Sequence, residues 1–346
     1  MTRHGPTDHP RGFTLVELLV ALSIVGLLIG LLLPAVARAR EAARRADCLN
    51  RLHQLGVALQ SFQSANGVYP CPMPPRTFHD GREWSADREF SGYYEMLPFL
   101  EQTPLYNAFN LGSKDGIGSP TFTPEMGVNQ TAFRTRVQAF LCPSDPLPGR
   151  APPSPVNYRF NVGGSSPLWI RLADTSVGAF DPIRPAGPNR YLDGLSTTAA
   201  LSERVVGGFD PTHFDRRRDL WAANIPGWVD PDDGDEVLRV CRSLTRTSVD
   251  FWHNMGESWS LGGNFYLWYN HVAPPNDRGA DCDTNDGHTG EASRCANCSM
   301  AARSFHDGGV HVLAMDGTVR FVTDGIDLRL WRALGTRAGS EPAEWP

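Results

Sequence analysis

The sequence predicts an α+β protein, in which one long N-terminal α-helix, transmembrane and then amphipathic, packs on an antiparallel β-sheet head with long loops. Three observations lead there. From Phe13 to Leu33 run 21 residues with Glu17 as the only formal charge, and a helix of about 20 apolar residues spans hydrocarbon. Beyond Pro34, the residues Ala42, Ala46, Leu49, Leu52, Leu55, Leu59 and Phe62 recur at gaps of three or four, the spacing of an amphipathic stripe. The chain holds 34 Gly and 28 Pro among 346 residues, a density that favours short strands and loops over further long helices.

A secretory signal peptide carries a small-residue cleavage site after its apolar stretch. None follows Leu33, and Pro34 leads straight into a charged helical segment. The apolar helix is therefore expected to be retained. Proline inside a helix removes one hydrogen bond and introduces a kink, but no further proline occurs from Ala35 to about Ser64, so the helix is expected to continue. Arg44, Arg45, Arg51 and Gln54 lie off the stripe. Roughly 50 residues at about 1.5 Å each make a rod of about 75 Å.

Glu17 needs a reason of its own, because a carboxylate in a spanning helix is costly unless neutralised, paired or near the interface. Gly12, Phe13, Glu17 and Pro34 together supply one. Counted from Phe13, Glu17 is fifth and Pro34 twenty-second, a layout that resembles the N-terminal signal of type IV pilins and type II secretion pseudopilins. The resemblance implies a pilin-like fold, and a prepilin peptidase that cuts after Gly12 and methylates the new Phe13 amine. That amine then lies about one helical turn from Glu17, within reach of its own carboxylate or a neighbouring subunit's.

The implied organisation is a leader at 1–12, a transmembrane helix at 13–34, its soluble continuation at 35–64 and a periplasmic head at 65–346. Arg3 and Arg11 precede the span while Arg38, Arg40, Arg44, Arg45 and Arg51 follow it. The positive-inside rule alone would put the head in the cytoplasm. The resemblance implies the opposite, a single pass through the inner membrane with a cytoplasmic leader, and four matched positions outweigh a charge count that Glu41 and Asp47 partly offset.

Further segments carry a second resemblance: REAARRADCLNRLHQLGVALQSFQ after the span, Cys142-Pro143-Ser144-Asp145, DGLSTTAALSER at 193–204, HVAPPN at 271–276 and FHDGGVHVLAMDGTVRFV at 305–322. They look like the domain-of-unknown-function family 1559, whose C-terminal signature is the prepilin-type processing-associated H-x(9)-D-G domain. His306 followed after nine residues by Asp316 and Gly317 fits it. Where that family commonly has Gly-Gly-Val-Asn, this chain has His311 in the last place.

Read physically, Val310 to Met315 and Thr318 to Val322 are two short apolar, β-branched strands around Asp316-Gly317, the residue pair of a type I′ turn. Gly308-Gly309 lets the incoming chain bend, and a short helix is expected at about Ile326 to Leu334. His306 invites a general acid–base reading; a structural hydrogen bond to Asp316 across the hairpin is the simpler expectation. No nucleophile elbow, phosphate loop or HExxH pattern accompanies it.

Seven cysteines are present, and an exported head allows disulfides. The odd count leaves one over, for which Cys48, close to the membrane, is chosen; Cys282 is expected to bridge to Cys295 or Cys298. Two metals compete with that bridge. Zinc would take Cys282, His288, Cys295 and Cys298, and calcium would take Asp281, Asp283, Asn285 and Asp286. The EF-hand pattern fails, since glycine falls at the seventh place from Asp281 and Ala292 occupies the twelfth. No cofactor is expected by default. The aromatics Trp252, Trp259, Phe265, Tyr266, Trp268 and Tyr269 are read as core rather than as a glycan platform.

Formal net charge is −6 with no long basic run, which sets nucleic acid aside as a partner; the arginines at 38–51 suit a solvated face or lipid headgroups. The expectation is a non-enzymatic pilin-like subunit whose partners are prepilin peptidase, other pilin-like subunits and the inner membrane. The competing expectation is a membrane-anchored periplasmic module that binds a solute or glycan.

Overall fold

The structure, a computed structural model, describes residues 15–72, 90–110, 129–164, 178–181, 184–223, 233–245, 250–263, 267–283, 298–341 and 343–346. Two compact units divide the chain between Arg44 and Arg45.

The first unit holds the start of α1 (Leu15–Asn66). Among the described residues it is the one helix long and apolar enough to cross a membrane. Its leucines, valines and isoleucines from Leu15 to Val36 are exposed, an arrangement stable only where the solvent is itself apolar. Glu17 sits in the first turn, and Pro34 lies inside the helix without ending it.

Within the second unit, α1 buries Cys48, Leu52, Leu55, Gly56, Ala58 and Leu59. Leu52, Leu55 and Leu59 follow the expected stripe, whereas Ala42, Ala46 and Leu49 are exposed. Gly56 is one cause of the rotated face: a Cβ there would stand 2.8 Å from the Leu313 side chain, so its absence lets that side of the helix close on the sheet. Arg45 stacks 3.6 Å over the Phe321 ring, and Arg51 donates to the Leu141 carbonyl at 2.7 Å.

Three short helices follow, α2 (Gly92–Met96), α3 (Thr103–Asn107) and α4 (Gln130–Phe133), and later α5 (Gly234–Ser243) and α6 (Leu328–Gly335). Asp233 and Asp327 cap the last two by accepting from the backbone amides of Asp235 and Glu236, and of Arg329 and Leu330, which satisfies donors that a helix start leaves open.

The nine strands among the described residues are β1 (Tyr158–Asn161), β2 (Ala199–Glu203), β3 (Leu220–Ala222), β4 (Asp250–Trp252), β5 (Trp268–Tyr269), β6 (Asp281–Asp283), β7 (Cys298–Ser299), β8 (Gly309–Ala314) and β9 (Val319–Thr323). They form a five-stranded sheet, β5-β1-β2-β8-β9, and a four-stranded sheet, β4-β3-β6-β7. Most neighbours are antiparallel, as expected, and two pairs add a parallel component: β1 with β5 and β3 with β6. Parallel neighbours need long crossovers, and the long segments between those strands provide them.

The main core joins α1 to the five-stranded sheet and to Tyr93, Phe133, Phe140 and Trp259. A second core lies where Val237, Leu238 and Cys241 of α5 meet Trp221 and Cys282, and a third packs Trp331 of α6 against Val310, Val312 and Val322. Trp259, Trp268 and Tyr269 are buried; Phe265 and Tyr266 lie outside the described residues.

The β8–β9 hairpin pairs Gly309 with Thr323 through to Leu313 with Val319. Its turn departs from type I′. Gly317 has a φ of 90°, while Asp316 is not among the residues of positive φ; the Gly317 amide donates to Ala314 and the Ala314 amide to Thr318. This is a type I turn closed by a left-handed glycine with a bulge. The Asp316 carboxylate accepts from the Thr318 amide at 2.9 Å and its hydroxyl at 2.7 Å, which holds Asp316 in the right-handed region. At the other end a Cβ on Gly309 would lie 2.2 Å from the Val322 carbonyl oxygen. Gly309→Ala is expected to destabilise the head by about 3 kcal/mol or more, since overpacking against backbone has no rotamer escape. Urea unfolding followed by circular dichroism measures it.

Candidate functional site

Cys48 on α1, the Cys142-Pro143-Ser144-Asp145 turn, the end of β2 and the loop entering β8 converge on one buried point. Cys48 and Cys142 are joined by a disulfide with Cα atoms 4.9 Å apart. This corrects the choice of Cys48 as the odd cysteine: it projects from the buried side of α1, a position that the distance to the membrane does not reveal. The Tyr158 hydroxyl donates to the Cys48 carbonyl at 3.0 Å, and the Cys142 amide donates to the Asn157 side chain at 3.0 Å.

His306 Nε2 lies 3.6 Å from the Cys142 sulfur and 3.0 Å from Glu203 Oε1. His311, on β8, donates its amide to Glu203 Oε2 at 2.8 Å and places Nδ1 3.2 Å from Oε1. Burial pushes the Glu203 carboxyl up, but hydrogen bonds from His306 and His311 outweigh it and hold the group below its usual range. Glu203 is thus an ionised carboxylate in a dry site, clasped by two imidazoles.

His306 and Asp316 do not meet. The six residues of β8 separate them, about 20 Å at a strand's rise, so the signature's two ends serve different tasks: His306 fixes the loop to Glu203, and Asp316 with Gly317 shapes the turn.

Beside this point Asp145 accepts from Arg218 at 2.8 Å, from the Asn157 side chain at 2.7 Å and from the Val206 amide at 2.9 Å. Asp281 accepts from Arg303 Nη2 at 2.9 Å and Nε at 3.0 Å, from the Ala301 amide at 3.2 Å, and from Arg204. Burial pushes Asp281 up while Arg303 and Arg204 pull harder, so its carboxyl lies below its usual range. The calcium reading is corrected there, because both oxygens already serve two guanidinium groups. Asp283 is buried on the same strand, and Asp286 lies outside the described residues.

Cys282 bridges to Cys241 with Cα atoms 5.3 Å apart. That overturns both its expected bridge to Cys295 or Cys298 and the zinc set built on it, since a disulfide sulfur is no thiolate ligand. Cys298 is itself disulfide-bonded; His288 and Cys295 lie outside the described residues. Gly12 and Phe13 also lie outside them.

The HVAPPN segment clasps α6. His271 stacks on Trp331 at 3.8 Å between ring centroids, with Nδ1 2.6 Å from the Trp331 carbonyl and Nε2 3.1 Å from the Tyr269 hydroxyl. Burial drives its pKa down to about 3. The unfolded chain takes up a proton near pH 6.5 that the native chain refuses, so stability is full above that pH and falls with acidification towards 3. One proton gives a slope of about 1.4 kcal/mol per pH unit. Asp219, raised by burial to about 6, acts in the opposite sense between about pH 4 and 6. His271→Gln is expected to remove a loss of unfolding free energy that wild type shows below about pH 6.5; Asp219 titrates alike in both chains and cancels in their difference, which denaturant titrations at stepped pH measure.

The sequence alone does not single out Glu203, although it lies beside the last residue, Arg204, of DGLSTTAALSER; nothing in spacing reports a contact across 103 positions.

An apolar helix entered through a Glu17-bearing first turn, followed by an α+β head, defines a type IV pilin-like chain of the kind that prepilin peptidase processes. A model of the prokaryotic N-terminal methylation motif matches residues 9–33. The chain belongs to the family described as "Protein of unknown function (DUF1559)", whose model matches residues 37–329. No curated protein and no solved structure matches it.

Proposed function

We propose that the protein is a pseudopilin- or minor-pilin-like structural subunit, cut by prepilin peptidase after Gly12 and assembled through α1 in a type II secretion or type IV pilus-like system. The observation that carries this reading is the methylation motif at 9–33 running directly into one exposed apolar helix. The role is mechanical rather than enzymatic. Residues 13–34 cross the inner membrane once, 1–12 face the cytoplasm and the head at 65–346 faces the periplasm. Apolar helices pack side by side, with Glu17 and the Phe13 amine as the polar register between subunits.

Intact mass and N-terminal sequencing of chain recovered from membranes test this. The expected polypeptide begins at Phe13 with a methylated amine. Recovery with Met1 to Gly12 attached, or cut beyond Leu33 and soluble, overturns the reading.

One observation favours a second reading, a membrane-anchored periplasmic module for a solute or glycan. A cavity of about 510 Å³ opens beside Phe214, Trp221, Leu244, Arg216 and Arg242, with Phe214 and Trp221 stacked at 3.7 Å. Aromatic faces with cationic neighbours suit a sugar or an anionic solute. A calorimetric head ligand, with function unchanged in Glu17→Ala, decides for this alternative.

A further inference from the structure

The Cys48–Cys142 disulfide needs neither a carboxylate nor a histidine, yet both stand against it in the dry interior. Cys48, Cys142, Glu203 and His306 are all buried, and one ligand atom from each lies within 4.8 Å of the others. They come from four separate segments: α1, the turn after residue 141, the end of β2 and the loop before β8. His306 and His311 already compensate the Glu203 charge, so the carboxylate stands beside the two sulfurs without needing the bridge.

We propose that these four side chains form a second, alternative site: in the reduced chain they hold one zinc ion through Cys48 Sγ, Cys142 Sγ, His306 Nε2 and Glu203 Oε1, and disulfide formation expels it. Two thiolates with an imidazole and a carboxylate match zinc's preference among divalent ions. Tetrahedral bonds of about 2.0–2.3 Å space ligand atoms roughly 3.3–3.8 Å apart, so a set within 4.8 Å closes on an ion by small side-chain rotations once the sulfurs part. The outer shell is in place as well, since His311 fixes both oxygens of Glu203 and so orients the ligand.

The exchange balances. The two zinc-bound thiolates give an electron pair to an external disulfide and form the Cys48–Cys142 bond. That external disulfide takes two protons from water and leaves as two thiols, and zinc departs as the dication. Before oxidation the metal would hold α1 against the sheet; afterwards the covalent bond does.

The test uses the full chain in detergent, reduced by a phosphine and titrated with cobalt(II). The expected result is one equivalent bound, with tetrahedral visible bands and a near-ultraviolet thiolate-to-cobalt transition, displaced one for one by zinc and missing from the oxidised chain. Oxidised glutathione added to the zinc-loaded chain should release one zinc per bridge formed, read with a chromogenic chelator. Cys142→Ser should abolish the thiolate transition, and Cys241→Ser should leave it. Because Cys142→Ser threatens folding, His306→Asn and Glu203→Gln, which keep both cysteines, give the second readout: affinity should fall about tenfold or more. A reduced chain without the cobalt–thiolate transition overturns the proposal. So does a transition indifferent to His306→Asn and Glu203→Gln, or a reduced chain that loses its circular dichroism and does not recover it with metal.

Discussion

Glu17→Ala is expected to leave the chain membrane-bound with a folded head and to cut its assembly with other pilin-like subunits by an order of magnitude or more. A carboxylate among apolar residues is tolerated when something neutralises it, and a freed Phe13 amine is the charge of opposite sign nearest in sequence. Alanine removes the cost together with the reason for one subunit to sit in a fixed register on the next. Glu17→Gln keeps the size and a hydrogen-bonding head but not the charge, and should assemble nearly as poorly. Crosslinking in membranes and sedimentation of sheared fibres measure the loss. Wild-type assembly by Glu17→Ala would refute the pairing and favour an anchor whose only task is to hold the head.

Removal of the Cys48–Cys142 bridge has the next largest expected effect. It closes a separation of 94 residues, for which the chain-entropy argument gives about 4.6 kcal/mol of stabilisation, within the usual range of up to about 5. Cys48→Ala with Cys142→Ala should lower the unfolding free energy of the head by about 3–5 kcal/mol, a large share of a typical domain's margin. Cys241→Ala with Cys282→Ala, closing 41 residues, should cost less by about 0.7 kcal/mol on the same logarithm. Urea titrations of the two double variants, side by side, check the order.

Local chemistry made much of this fold readable. Leu52, Leu55 and Leu59 mark the buried side of α1 by spacing alone, the β8–β9 hairpin announces itself by β-branched residues on either side of Asp316-Gly317, and α6 (Leu328–Gly335) falls within the short helix expected at about Ile326 to Leu334 to within a residue. What the sequence withheld is what depends on distant partners. Spacing leaves the face of α1 ambiguous by one residue until Gly56 meets Leu313. A type I′ turn and a bulged type I turn share the same Asp-Gly pair, and the Asp316 side chain decides between them. Asp281 looks like a cation ligand until Arg204 and Arg303, 77 and 22 positions away, take both of its oxygens. Glu203, His306 and His311 form one site only because two strands pair in register, and no short-range pattern encodes that pairing.

The bridge from Cys48 to Cys142 also decides how the molecule answers tension. In the proposed role, a subunit pulled by its helix would, without it, let the polypeptide between those cysteines pay out as slack, up to about 300 Å for the 94-residue separation at an extended chain's reach. With it, traction passes from the helix directly to the turn preceding β1, and the intervening segment is never stretched.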